Sequence, residues 1–133
     1  MSSTFKVGDT ASIEKTFTEE DVQKFSELSL DKNPVHLDPD FATQSIFGER
    51  VVHGMLVASL FSAILGTTLP GEGTIYLRQT LNFLAPLYLG DKITASVEIV
   101  TIRPDKPIIT LRTTAVKDDG TTVIEGEAVV KVP

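Results

Sequence analysis

A chain of 133 residues has the size of one domain, here taken as residues 1–133, and can bury a real core. Its formal net charge of −6 argues against nucleic acid or an anionic membrane as partner, while leaving room for a phosphate-bearing small molecule on a local basic patch. The absence of cysteine excludes disulfides, thiol catalysis and thiolate metal sites, and two histidines without a neighbouring acidic cluster argue against a catalytic metal.

The start, Met1 to Lys6, has no apolar signal core, and the apolar run Met55–Leu65, broken by Ser59 and Ser62, is too short to span a bilayer. The expectation is a cytoplasmic protein. Val7-Gly8-Asp9 reads as a turn. Ala11, Ile13 and Lys15 alternate with Ser12, Glu14 and Thr16, as in a short edge strand. Thr18 followed by Glu19-Glu20-Asp21 is a helix start, with a capping hydroxyl and acids at the positive end of the helix dipole. Val22, Phe25 and Leu28 then share one face of a helix that stops near Ser29 or Leu30.

Asp31-Lys32-Asn33-Pro34-Val35-His36 follows. A carboxylate and an imidazole five residues apart would lie on different faces of a helix. Pro34 disfavours the helical conformation at Asn33, so the spacing predicts a sharply shaped loop that can aim both groups at one point. Asp and His differ enough in acidity to divide acid and base work near neutral pH. Which would donate and which accept is open from the sequence. Asp38-Pro39 restarts a short helix with Phe41 and Ala42 inward, and Gly48 breaks it.

Val51 to Leu65 has no continuous polar face, which predicts a helix from about His53-Gly54 to Gly66, buried on nearly every side. Four alternating stretches follow. Ile75, Leu77, Leu81 and Phe83 share a face, as do Ile93, Ala95, Val97 and Ile99; Ile109, Leu111, Thr113 and Ala115; and Ile124, Gly126, Ala128, Val130 and Val132. Turns at 86–91, 104–107 and 118–120 imply an antiparallel meander. One apolar helix and one antiparallel sheet make an α+β domain in which the sheet curls around the helix.

These residues resemble a known family. Phe25, Leu28-Ser29, Leu30-Asp31-Lys32-Asn33-Pro34-Val35-His36 and Ala42 follow the motif of the MaoC-like, (R)-specific enoyl-CoA hydratases, except that Leu30 stands where the motif has Gly. His53-Gly54-Met55 matches the start of that family's central helix, and Leu81 to Pro86 with Gly90-Asp91 matches its following strand and turn. The resemblance covers nearly the whole chain and is closest to the short bacterial form that feeds polyhydroxyalkanoate synthesis. It implies the hot dog fold, a homodimer with acyl-CoA bound between subunits, and reversible hydration of trans-2-enoyl-CoA to (R)-3-hydroxyacyl-CoA without a cofactor. Asp31 and His36 would hold one water. Alternatives are a MaoC-like dehydratase of carrier-protein-bound or branched acyl thioesters, and a non-catalytic acyl-CoA-binding protein. A thioesterase is disfavoured, because no Asp or Glu lies between Val51 and Leu65.

Hydration places negative charge on the thioester oxygen. The backbone N–H of Gly54, at a helix start, is the candidate donor, and the missing Cβ allows close approach. Asn33 is expected to shape the loop and orient the pair. Gly54, Ala58, Ser62 and Leu65 follow helical spacing, so an acyl chain leaving Gly54 would run past Ser62 towards Leu65, with Val130 closing the same end. Two bulky residues there imply short acyl chains. His53 reads as a structural residue beside the helix start, and Gln79 is a polar residue on an apolar strand face in want of a partner. Arg78, Arg103, Lys106 and Lys131 read as solvated surface rather than as contacts to CoA phosphates.

Overall fold

The computed structural model describes residues 5–133. The elements run β1 (Thr10–Thr16), α1 (Glu19–Ser29), α2 (Pro34–Leu37), α3 (Pro39–Thr43), α4 (Gly54–Thr67), β2 (Ile75–Phe83), β3 (Lys92–Ile102), β4 (Ile108–Lys117) and β5 (Thr122–Lys131). The strands form one antiparallel sheet in the order β1-β3-β4-β5-β2, and α4 lies against β1, β2, β3 and β4. The sheet therefore wraps the helix as expected.

The order corrects one expectation. β3, β4 and β5 form a meander, but β2 pairs with β5 at the far edge and not with β3. Residues 86–91 are thus no hairpin turn. They carry the chain across the domain, and on the way Val51 bridges Tyr88 while the Val52 amide donates to the Leu87 carbonyl at 2.8 Å. The Tyr88 hydroxyl donates to the Phe47 carbonyl at 3.0 Å, so this crossing straps down the segment before α4.

The core is the meeting of α4 with the inner sheet face. Val57, Leu60, Phe61, Ile64 and Leu65 of the helix meet Ile93, Ala95, Val97, Ile99, Ile109, Leu111, Ala115, Ile124, Ala128 and Val130, all buried. Full burial of such side chains stabilises by about 1.5–3 kcal/mol each before the entropy of ordering is subtracted. A bulge at Leu77 interrupts β2: Tyr76 pairs with Val130 and Arg78 with Val129. The bulge reverses the alternation, so Tyr76, Gln79, Leu81 and Phe83 share the inner face, and Ile75 does not. Gln79 finds its partners there. It accepts from the Tyr76 hydroxyl and donates to the buried Thr113 hydroxyl at 2.9 Å.

Two further expectations change. On α1 the buried residues are Val22 and Ser26, whereas Leu28 is 84% exposed. Helix α4 is not buried all round: Met55, Ser59, Ser62 and Ala63 are exposed. Met55, Ser59 and Ser62, with Ala58, face an open groove whose other wall is Tyr76, Leu77, Arg78, Gln79 and Leu81. The cap at Thr18 forms as read. Its hydroxyl accepts from the Asp21 amide and the Asp21 carboxylate accepts from the Thr18 amide, which is the main cause holding Asp21 below the usual carboxylate range.

Candidate active site

The site begins where α1 stops. Leu30 is the C-cap in the left-handed conformation, φ 69° and ψ 7°, the one non-glycine residue with positive φ among those described. This is the backbone need that a Gly would meet without strain. It turns the chain so that the Asp31 amide donates back to the Ser29 hydroxyl at 3.1 Å. The Asp31 carboxylate accepts from the Asn33 amide at 3.3 Å, and the Asn33 side-chain oxygen accepts from the Val35 amide at 3.2 Å. Asn33 is therefore the N-cap of α2, with Pro34 at the first helical position. The expected loop is half helix. Pro34 excludes the helical state at Asn33, whose ψ is 124°, and then starts a helical turn that includes His36.

His36 is 9% exposed and His53, the residue before α4, is 2% exposed. Nδ1 of His36 donates to the Val51 carbonyl at 2.8 Å. A carbonyl can only accept, so Nδ1 carries the hydrogen and Nε2 of the neutral ring is the accepting nitrogen. The imidazoles of His36 and His53 stack with centroids 3.8 Å apart and planes inclined by 25°, and Phe25 meets His53 edge-on at 4.8 Å. Nε2 of His53 lies 3.1 Å from the Asp31 carbonyl and 3.0 Å from the Ser26 hydroxyl. Burial, first, pushes His53 below the ordinary histidine value, and its nearness to His36 acts the same way.

Asp31, His36 and His53 each bring one side-chain ligand atom within 4.8 Å of the others. The Asp31 carboxylate and His36 can share one water at this spacing, whereas on His53 Nε2 already faces the Asp31 carbonyl and Nδ1 is buried. All three residues border a cleft of about 560 Å³ with Asn33, Phe47, Gly54, Met55, Phe83 and Pro86 among its walls. Gly54 opens α4, and a Cβ there would lie 2.7 Å from both Cδ1 and Cε1 of Phe83. Gly54 thus has a packing reason to lack a side chain, alongside its free helix-start N–H.

The structure brings Asp31, Asn33, His36 and Gly54 to one cleft. Ser62 lines the neighbouring groove, joined to the cleft through Met55, which borders both. Leu65 and Val130 are fully buried in the core and line neither. They adjoin the groove only indirectly, Leu65 one turn beyond Ser62 and Val130 paired with Tyr76. Three contributors were not foreseen: Ser26, the Val51 carbonyl, and His53 as a member of the cluster. Ser26 left a signal, since it lies four residues after Val22, on the buried face of α1.

Residues 5–121 match the family model described as MaoC like domain. The chain is 50% identical to the (R)-specific enoyl-CoA hydratase of Aeromonas caviae over 96% of both chains. It is 48% identical to the (R)-specific enoyl-CoA hydratase of Rhodospirillum rubrum over 96% of this chain and 88% of that one. A solved structure described as the (R)-hydratase from A. caviae involved in PHA biosynthesis superposes with a TM-score of 0.97 at 48% identity, covering 99% of this chain and 100% of that one.

Proposed function

The chain belongs to the MaoC-like family, a hot dog fold, and from that premise we propose that it is an (R)-specific enoyl-CoA hydratase, a hydro-lyase adding water to trans-2-enoyl-CoA. The observation that carries the reading is the bond from His36 Nδ1 to the Val51 carbonyl, beside the Asp31 carboxylate. It leaves Nε2 as the accepting nitrogen. One water held between that nitrogen and the carboxylate has an acceptor for each of its hydrogens.

As the water oxygen bonds to C3, the π pair of the double bond shifts towards C2 and the thioester oxygen gains charge. The pair takes one proton from the water and returns a proton to C2 on the same face. Water therefore supplies the OH at C3 and the H at C2, so the reaction is redox-neutral and balances with no cofactor. General acid–base catalysis of this kind is worth about 10²–10⁴-fold. The N–H of Gly54, unpaired within the helix and at its positive end, is the proposed donor to the thioester oxygen. Asn33 shapes the loop behind the pair. The acyl chain passes Met55 into the groove beside Ser62, and Leu65 and Val130, buried one layer behind that groove, back its floor and keep it from deepening, so short chains are preferred.

No helix among the described residues is long and apolar enough to cross a membrane, and we place the enzyme in the cytoplasm. We also propose a homodimer. β2 is an edge strand, and Ile75, Tyr76 and Leu77 on it and Met55 across the groove are exposed. An apolar sheet edge of this kind calls for cover.

The test is loss of enoyl-thioester absorbance with crotonyl-CoA, followed by chiral analysis of the product. Asp31→Asn and His36→Ala should each fold and lose most activity, and the double variant should be little worse than either, because the two serve one water. Additive losses would show that they act separately. An (S)-product would overturn the stereochemical reading.

A further inference from the structure

His53 touches both members of the pair yet has no part in the proton transfers derived above. Its Nε2 lies 3.1 Å from the Asp31 carbonyl, an atom that can only accept, so Nε2 carries the ring hydrogen. Its face lies on the His36 ring at 3.8 Å. Its Nδ1 is buried and has no hydrogen-bond partner among the described residues. A side chain kept only to fill this space would be an apolar ring. Phenylalanine would stack on His36 and meet Phe25 as well, and would bury no bare nitrogen. What phenylalanine cannot do is donate to the Asp31 backbone.

We propose that His53 is a positioning residue that clamps the Asp31 backbone with its Nε2–H and the His36 ring with its face, holding the two as one unit. The inference rests on the reading of Asp31 and His36 as the hydrating pair. Asp31 needs such a hold. It is exposed, it follows the left-handed Leu30, and among the described residues its carboxylate is bonded only to the neighbouring Asn33 amide. His36 is tied to Val51, in a different segment. Among the described residues His53 is the one side chain bonded or stacked to both, and Ser26 of α1 shares its Nε2. Nδ1 is buried with no acceptor among the described residues, so a second proton on the ring would have no protein partner there. The clamp is therefore a neutral imidazole in one tautomer, and the ring stacked on it, His36, is held in the opposite tautomer, with its hydrogen on Nδ1.

Two variants separate the halves of the clamp. His53→Phe keeps the flat ring and loses the donor. His53→Gln keeps a side-chain N–H near the position of Nε2 and loses the ring. Each should lower kcat for crotonyl-CoA by about 10–100-fold, the scale of a misplacement of about 1 Å, with KM changed less than about threefold. His53→Ala, losing both, should fall below either. Full kcat in folded His53→Phe and His53→Gln overturns the proposal, as does a loss carried entirely by KM. A second measurement needs no variant. With two histidines in the chain, a long-range ¹H–¹⁵N spectrum of the wild-type protein should show one Nδ1–H ring and one Nε2–H ring, the latter absent from a His53 variant or assigned through its own Cβ. Two rings of the same tautomer overturn the clamp even if every variant fails to fold. Wild-type protein that hydrates no enoyl-CoA defeats the reaction reading instead, and the tautomer pair still decides whether the clamp exists.

Discussion

Replacing Gly54 by Ala separates space from hydrogen bonding at the proposed thioester site. The new methyl leaves the backbone N–H in place but lies 2.7 Å from two carbons of the Phe83 ring. Carbon atoms rest at about 3.5–4.0 Å, so the ring must withdraw by about 1 Å. Phe83 is 52% exposed on an edge strand and can do so cheaply, at the low end of the roughly 1–3 kcal/mol typical of overpacking. Gly54 is the first residue of α4, so the gain from removing it is at most the low end of the roughly 0.5–1 kcal/mol of a mid-helix Gly and offsets part of that cost. Thermal stability should therefore change by only a few degrees, about what 1 kcal/mol or less gives in a domain of this size. Activity should not be spared. The methyl and the displaced ring both enter the cleft where the thioester would lie, and a shift of about 1 Å there is worth on the order of 10²-fold in kcat/KM. Phe83→Leu removes the ring edge, so Gly54→Ala/Phe83→Leu should recover much of the loss, measured against Phe83→Leu alone. A folded Gly54→Ala enzyme with wild-type kcat/KM would show that the substrate does not lie over Gly54. A loss untouched by the second change would show that Phe83 is not the wall.

Leu30→Gly should stabilise the protein by about 0.5–1 kcal/mol in chemical denaturation, because it relieves a left-handed cap worth about 1–2 kcal/mol against the greater freedom of unfolded Gly; Leu30→Ala, which keeps the Cβ, should not, and equal behaviour of the two would refute strain at this position. His53 has a depressed folded pKa, so the unfolded chain binds its proton more readily; the stability it gives is complete above its ordinary value of 6.5 and is lost as pH falls below it. Denaturant midpoints should decline on acidification through that window, and less steeply in His53→Phe; identical slopes would refute the burial argument. Leu65→Ala empties part of the core, so it should cost about 2–5 kcal/mol in stability while raising the kcat/KM ratio of octenoyl-CoA to crotonyl-CoA, and an unchanged ratio in folded protein would place the acyl chain elsewhere.

Local chemistry made much of this fold legible. Thr18 with Asp21, and Asp38 with Pro39, mark helix starts through side chains that satisfy nearby amides, and both form as read. Asp31 and His36 were visible because the proline between them disfavours a helix through Asn33 and so implies a shaped loop. The strand order was not visible. Turn signals at 86–91 mark where the chain bends, and a bend does not say which strand it leads to. The bulge at Leu77 was hidden for a similar reason, since alternation read by twos assumes an unbroken ladder. The exposed side of α4 was missed because apolar composition shows what a helix prefers, while exposure depends on what else is present to cover it. Ser26 and the Val51 carbonyl lie furthest from sequence reading. One is an ordinary serine on a buried face, and the other is a backbone atom that any residue would supply, placed by a strap more than thirty residues away.

That strap also divides inheritance within the molecule. The proposed water-holding pair, the residues that brace it and the proposed thioester donor all come from 26–54, pinned from behind by the crossing after β2. The side chains that would line an acyl group come from the outer face of α4 and from β2, an edge strand with a single neighbour and a bulge. Substitutions accumulating along that edge can reshape what enters the site without disturbing the residues that act on it. The fold thereby separates the proposed acyl-lining side chains from the pair, so that either set can be altered by substitution without moving the other.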